Sequence, residues 1–243
     1  MYRVIATDID GTLTKDRSST EICLEVIEIL KNARSMGLHV VLVSSNSLPV
    51  VIGLSKYIGL NDPVIGESGS LLYIPPNRVI HLTEYSAREA YRDVVTIFSN
   101  YVDDSWQNIF RIHDFALKVK DEFKGREREV YSIIRDYVEN KYSYVKVGYS
   151  GYAIHLTPRD VSKGYALMKL LDIMGYSLEH AVCIGDSVMD ADFISQCGLK
   201  VAVSNADEEL KSIANYVCSK PSCYGVVEVV EKILSKGYIV SNT

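Results

Sequence analysis

Two patterns of apolar and polar positions alternate along the first third of the chain. Short apolar runs at residues 2–7, 39–43 and 63–66 are separated by stretches, 21–36 and 49–58, whose apolar residues recur with a helical period. In the first stretch Ile22, Val26, Ile29, Leu30 and Ala33 share one face, and Gly37 follows where a left-handed C-terminal cap ends a helix. This alternation predicts βαβ units and a parallel sheet. The Pro75-Pro76-Asn77 turn predicts a hairpin joining 70–74 to 79–82.

After residue 82 the pattern changes. A helical run at 87–101 (Ala87, Ala90, Tyr91, Val94, Val95, Phe98) precedes strand-like runs at 109–112 and 115–119. A charged amphipathic helix at 125–140 follows, with Val130, Ile133, Ile134, Tyr137 and Val138 inward. Strands at 142–147 and 152–156 then flank a Tyr149-Ser150-Gly151 turn. The order α-β-β-α-β-β predicts two helices on one face of a small antiparallel sheet. Beyond Pro158 the first pattern resumes, with helices at 161–174, 189–197, 208–214 and 226–234 and strands at 181–184, 200–203 and 216–218. The expected fold class is therefore α/β: a Rossmann-like parallel-sheet core from residues 1–82 and 158–243, with an inserted α+β cap at 83–157. The crevice between core and insert is the expected ligand site.

Composition narrows the function classes. With 47% hydrophobic and 23% charged residues in 243, the chain has a globular balance that excludes disordered, collagen-like and disulfide-scaffold classes. A net charge of -5 provides no electrostatic reason to expect nucleic acid or an anionic membrane as partner. Asp8 and Asp10 interrupt the N-terminal apolar run before a signal segment forms, and no apolar run approaches the ~20 residues of a spanning helix. The expectation is a soluble cytoplasmic protein, monomer or homodimer. Its five cysteines are odd in number and none has C-x-x-C spacing, so they read as buried residues of a reduced protein, with Cys218 and Cys223 as the pair able to join.

The chemistry concentrates at predicted strand ends, where an open parallel sheet holds its ligands. Asp8-Ile9-Asp10-Gly11-Thr12 follows the first strand; two carboxylates aimed at one point, a glycine that permits a sharp turn and a hydroxyl for an anion suit phosphoryl transfer. One carboxylate attacks phosphorus, and the other protonates the leaving oxygen and then activates water. Gly185-Asp186-Ser187-Val188-Met189-Asp190 follows the 181–184 strand, and an all-oxygen set shared between two strand ends favours Mg²⁺. Alone, Asp186 and Asp190 read equally as acids at a helix N-terminus. Lys163 follows Ser162, a plausible N-cap, and so stands in a first turn that disfavours cations unless an anion is near; alone it reads as an exposed lysine. Ser44-Ser45-Asn46 brings donors to a third strand end, or simply caps the next helix.

With these four motifs in order, the chain resembles the haloacid dehalogenase-like phosphatases over essentially its whole length. The resemblance implies Asp8 as nucleophile, Asp10 as acid/base, Ser44, Ser45 and Lys163 as substrate ligands, and Asp8, Asp10 (through its carbonyl), Asp186 and Asp190 around Mg²⁺. The segments Val43-Ser44-Ser45-Asn46, Pro49-Val50-Val51, Gly66-Glu67-Ser68-Gly69, Tyr149-Ser150-Gly151-Tyr152 and His155-Leu156 are most like those of the archaeal phosphoglycolate phosphatases. That implies a small phosphorylated metabolite as substrate, 2-phosphoglycolate first. A phosphosugar phosphatase or phosphomutase of the same superfamily, and a phosphate-binding regulatory domain, are the alternatives. Met189 stands where the family usually has Asn, Ser45 where Gly is common and Ser68 where Asn is common. Within the insert, Arg111, His113, Lys118, Tyr152 and His155 are the candidates to meet substrate, Arg111 first because its fork matches a carboxylate.

Overall fold

The computed structural model describes residues 1–235, so the last eight residues assigned to the core lie outside the described residues. The chain runs β1 (Val4–Thr7), α1 (Leu24–Ser35), β2 (His39–Val43), α2 (Leu48–Tyr57), β3 (Val64–Gly66), β4 (Leu71–Ile74) and β5 (Arg78–His81). It continues through α3 (Arg88–Ile97), β6 (Val102–Asp104), β7 (Phe115–Val119), α4 (Glu127–Lys141), β8 (Val145–Tyr149) and β9 (Ile154–Pro158). It closes with α5 (Lys163–Met174), β10 (Ala181–Gly185), α6 (Ala191–Ile194), β11 (Leu199–Ala202), α7 (Glu208–Ile213), β12 (Tyr216–Val217) and α8 (Ser222–Ser235).

The larger sheet has eight strands in the order β12-β11-β10-β1-β2-β3-β4-β5. Its first six strands are parallel, and β4 and β5 add an antiparallel hairpin at one edge. Val4, Ile5 and Ala6 of β1, residues 40–43 of β2 and residues 182–184 of β10 are wholly buried, as apolar runs in a sheet covered on both faces must be. At about 1.5–3 kcal/mol for each large apolar side chain buried, these central strands contribute far more than β12, whose Tyr216 and Val217 remain partly exposed. Because β1 and β10 are neighbours in register, their C-terminal ends deliver Asp8 and Asp186 to the same edge. Among the described residues no helix is long and apolar enough to cross a membrane.

The smaller sheet has the antiparallel order β6-β7-β9-β8 and its own apolar core with α3 and α4. One predicted strand is wrong. Residues 109–112 do not pair; Trp106–Phe110 is a 3₁₀ turn, and β6 takes the place beside β7. The Asn108 side chain occupies the next position on the β7 edge, donating to the Ala116 carbonyl at 2.7 Å and accepting its N–H at 3.0 Å. Ile109 and Ile112 are consequently exposed, so their apolar character mimics a strand without supplying one. The predicted helix at 189–197 is likewise shortened to a 3₁₀ turn, Val188–Asp190, and the four-residue α6.

The reduced-cysteine expectation is also overturned. Cys23 is bonded to Cys223, joining the start of α1 to α8, and Cys183 to Cys197, joining β10 to the segment after α6. Cys218 is free and does not pair with Cys223. The first pair is 200 residues apart in sequence yet 6.2 Å apart at Cα, a proximity that only the fold creates.

The two sheets meet through the Gly66–Gly69 segment and the start of β7. Glu67 and Ser68 both adopt left-handed backbone, φ 50° and 56°. A side chain at Gly69 would lie 2.2 Å from the Ser162 carbonyl, so only glycine lets this turn reach the start of α5. The Glu67 carboxylate accepts the N–H groups of Ile112, His113 and Asp114. Asp114, fully buried, accepts from Ser68 Oγ at 3.0 Å and Thr157 Oγ1 at 2.6 Å and pairs with Arg111 and His155. Nearby, Thr83 donates to the Asp160 carboxylate at 2.9 Å, tying together the two chain crossings between the sheets.

Burial by itself raises the Asp114 carboxyl, but His155 and Arg111 outweigh it and hold Asp114 below the usual carboxylate range. A depressed native value stabilises the fold above the unfolded pKa of about 3.9, and that stabilisation is lost as pH falls through the native value. Asp114→Ala is expected to cost about 3–5 kcal/mol at neutral pH, because it leaves Arg111 buried without its carboxylate. It is also expected to flatten the acid limb of stability below about pH 4. Urea melts of both proteins between pH 3 and 7 check this; coincident curves would contradict it.

Candidate active site

β1 ends as the Asp8 N–H bonds to the Ile184 carbonyl, and the chain then turns through Gly11 at φ 84°. A side chain at Gly11 would stand 2.3 Å from Asp186 Oδ2, so glycine here is what lets the two acidic loops touch. Thr12 Oγ1 donates to Asp186 Oδ1 at 3.2 Å. The carboxylates of Asp8, Asp186 and Asp190 converge, with one oxygen of each within 4.8 Å of the others, all three buried.

Lys163 opens α5, with Ser162 capping the helix by accepting from the Tyr165 N–H at 3.1 Å. Its Nζ lies 2.7 Å from Asp8 Oδ1 and 2.6 Å from Asp190 Oδ1, which accounts for a cation in a first turn. Burial alone would lower the Lys163 ammonium, but Asp190 and Asp8 hold it well above its ordinary range. Asp8 is raised well above the usual carboxylate range, first by burial and then by Asp190, with Lys163 opposing. Asp186 is pushed up to about 6 for the same two leading reasons, against the pull of Arg17. Among the described residues these three crowded, buried carboxylates pair with two cations, Lys163 and Arg17, and are short of positive charge. The all-oxygen donor set, without His or Cys, fits a hard divalent cation such as Mg²⁺.

Asp190 is less free than Asp8 and Asp186. Its Oδ2 folds back onto the N–H groups of Asp186 and Ser187, at 3.2 and 3.1 Å, while Oδ1 holds Lys163. Asp10, half-buried, is raised by burial, and a hydrogen bond from Asn46 Nδ2 at 2.7 Å opposes the rise.

A cavity of about 380 Å³ opens over these groups, between the two sheets. Ser45 lines it, whereas Ser44 is buried behind with its Oγ accepting from the Asn46 N–H at 3.0 Å. From the smaller unit Arg111, Lys118, Tyr152 and His155 line the cavity. His113 does not: its ring nitrogens face the Tyr85 carbonyl and His81. Nor is the Arg111 fork wholly free, since one arm is paired with Asp114. Arg111 Nε and the Tyr152 hydroxyl are both buried without a partner. Met189 also lines the cavity, and its methyl end lies where a side chain at Gly148 of β8 would have to go, making an apolar contact between the two units.

Two polar residues at the site, Arg17 and Gln107, escaped sequence reasoning, and a third, Asn46, was placed at its strand end as a donor without its partner. Arg17 donates from Nε to Asp186 at 2.6 Å and from Nη1 to Asp207 at 2.9 Å. Asn46 carries the contact to Asp10, and Gln107 donates from Nε2 to Asn46 Oδ1 at 2.7 Å. Neither Arg17 nor Gln107 stands in a motif with a distinctive spacing.

A profile of haloacid dehalogenase-like hydrolases matches residues 5–117 and 100–230. The chain belongs to the haloacid dehalogenase-like hydrolase family. Among relatives of this hydrolase, a phosphoglycolate phosphatase of Staphylothermus marinus is 55% identical over 97% of this chain and 99% of its own. Phosphoglycolate phosphatase 1 of Saccharolobus solfataricus is 35% identical over 96% of both chains. The solved structure of Thermoplasma acidophilum 0175 superposes with a TM-score of 0.82 at 25% identity, covering 96% of this hydrolase and 99% of that chain. A haloacid dehalogenase-like hydrolase from Bacteroides thetaiotaomicron shares the fold, with a TM-score of 0.77 at 19% identity over 96% and 100% of the chains.

Proposed function

We propose that this hydrolase is a Mg²⁺-dependent phosphatase that cleaves a small phosphomonoester, 2-phosphoglycolate first, through an aspartyl-phosphate on Asp8. The observation that carries the reading is the convergence of Asp8, Asp186, Asp190 and Lys163 beneath one cavity. The names of the curated relatives support the substrate.

An Asp8 carboxylate oxygen attacks phosphorus as the bond to the leaving oxygen breaks, and Asp10 gives its proton to that oxygen. Asp10 then takes a proton from water, whose oxygen attacks phosphorus, freeing Asp8 and inorganic phosphate. Lys163 is held against Asp8, where its charge screens the incoming phosphate from the nucleophile. Asp8, Asp186 and the Asp10 carbonyl would hold Mg²⁺, while Asp190 anchors Lys163 and the Asp186 loop. Bound there, the ion supplies Lewis-acid stabilisation of charge on the phosphoryl oxygens. Ser44 and Ser45 are the phosphate donors on the second motif, Ser45 lining the cavity and Ser44 standing buried at the strand end beside it.

Residues 83–157 act as a cap that closes over the phosphoryl group, excludes water and selects the leaving group. Arg111 and Tyr152 line the cavity, and their partnerless Nε and hydroxyl, buried just behind its wall, are the groups a carboxylate-bearing substrate would engage once these side chains turn inward on closure. Arg111→Lys retains a cation for Asp114 but removes Nε. It is expected to raise KM for 2-phosphoglycolate by about 10-fold or more, the value of a charged hydrogen bond, and to leave p-nitrophenyl phosphate within about twofold. Equal losses on both substrates would assign selectivity to the core instead.

A further inference from the structure

Where the turn Trp106–Phe110 of the smaller unit meets the core, one side chain makes two bonds across the boundary. Gln107 accepts the Ser47 N–H at Oε1, 2.7 Å, and donates from Nε2 to Asn46 Oδ1, 2.7 Å. Asn46 in turn donates from Nδ2 to Asp10 Oδ2 at 2.7 Å and to Ser44 Oγ at 3.1 Å. The sense of this chain is fixed from one end. A backbone N–H can only donate, so it dictates which end of the Gln107 amide faces it. That choice turns the Gln107 NH₂ group toward Asn46, and this turns the Asn46 NH₂ group toward Asp10. An amide turned by 180° has nearly the same shape, so only its partners select between the two orientations.

We infer that Gln107 is a positioning residue for Asp10, acting through the orientation of the Asn46 amide when the smaller unit is seated on the core. The inference rests on the phosphatase reading above. Without Gln107, the Asn46 carbonyl loses its donor and only the contacts of its NH₂ group with Asp10 and Ser44 hold the amide, so the bond that orients the Asp10 carboxylate is less firmly fixed. The relay also couples the two units chemically. Gln107 belongs to one unit, while Ser47, Asn46 and Asp10 belong to the other, so Asp10 is fully oriented only in the seated state.

The consequence is specific to one step. With p-nitrophenyl phosphate the leaving group needs no proton, so phosphorylation of Asp8 does not depend on Asp10. Hydrolysis of the aspartyl-phosphate does. Gln107→Glu keeps the shape and the acceptor for the Ser47 N–H but has no donor for Asn46; Gln107→Met keeps the length and loses both bonds. Steady-state and rapid-quench kinetics in Mg²⁺ test the relay. Both variants are expected to lower kcat by about 10-fold or more, a part of the 10²–10⁴ that acid–base catalysis contributes. KM for p-nitrophenyl phosphate is expected to fall in the same proportion, leaving kcat/KM within about twofold, and a p-nitrophenol burst near one per site is expected to appear as hydrolysis becomes limiting. Adding Gln107→Met to Asn46→Ala is expected to cost less than about twofold further, since the two act in series.

Either variant above half the wild-type kcat, fully additive losses, or slowed turnover without a burst in a protein whose thermal melt is unchanged would overturn the relay alone. A wild-type protein that releases no p-nitrophenol in Mg²⁺ would overturn the phosphatase reading and the relay with it.

Discussion

Replacing Asp8 with Asn is expected to lower kcat by about 10⁴-fold or more, the scale seen when a covalent nucleophile is removed. An amide of nearly the same shape cannot attack phosphorus. Lys163 keeps its second partner, Asp190, at 2.6 Å, so the fold is expected to survive the change. The variant is also expected to lose trapping by beryllium fluoride, which mimics a phosphoryl group on a carboxylate. Asp10→Asn, by contrast, is expected to keep trapping while turnover falls by about 10²–10⁴-fold. Its predicted metal contact is through the main chain, which the substitution leaves in place. Appreciable turnover by Asp8→Asn would remove Asp8 as the nucleophile.

Metal removal is the second large effect. Excess EDTA is expected to reduce activity to below about one-hundredth, several kcal/mol of lost charge stabilisation, and added Mg²⁺ to restore it. Asp186→Ala is expected to abolish that recovery or raise the Mg²⁺ requirement severely, because it removes the carboxylate that Thr12 and Arg17 hold in place. Asp190→Ala is expected to act less through metal affinity than through Lys163 and the loop amides, which its two oxygens already serve. A melt separates binding from turnover: a ligand that binds only the native state raises the transition temperature. Mg²⁺ is expected to raise it in wild type and not in Asp186→Ala. Full activity in excess EDTA would exclude the ion.

The larger sheet was legible because its signal is local. Each central strand is a short apolar run bounded by turn residues, and the acidic motifs fall at strand ends whatever the later packing. Lys163 was legible for a related reason: a cation in a first turn is unfavourable until an anion faces it. Side chains that act across the fold left no such trace. Arg17 and Gln107 take their partners from segments that become neighbours only in three dimensions, as do Cys23 and Cys223, and for Asn46 the strand-end donor was legible but its contact with Asp10 was not. The error at residues 109–112 has another origin, since apolar residues there are exposed while a side-chain amide, Asn108, pairs with the sheet edge. Ser44 and Ser45 could be placed at the strand end but not told apart, because both follow the last residue of β2 and only the folded turn leaves Ser44 buried and Ser45 at the cavity wall. For Arg111 the sequence showed a suitable fork but not that Asp114, three residues on, occupies one arm.

The most direct test is kcat/KM of the purified wild-type protein in Mg²⁺ for 2-phosphoglycolate against a panel of sugar phosphates and p-nitrophenyl phosphate. The account predicts that 2-phosphoglycolate is the best substrate by about tenfold or more, roughly 1.4 kcal/mol of differential transition-state binding. A sugar phosphate that exceeds it by the same margin, or no Mg²⁺-dependent phosphate release from any of them, would contradict it.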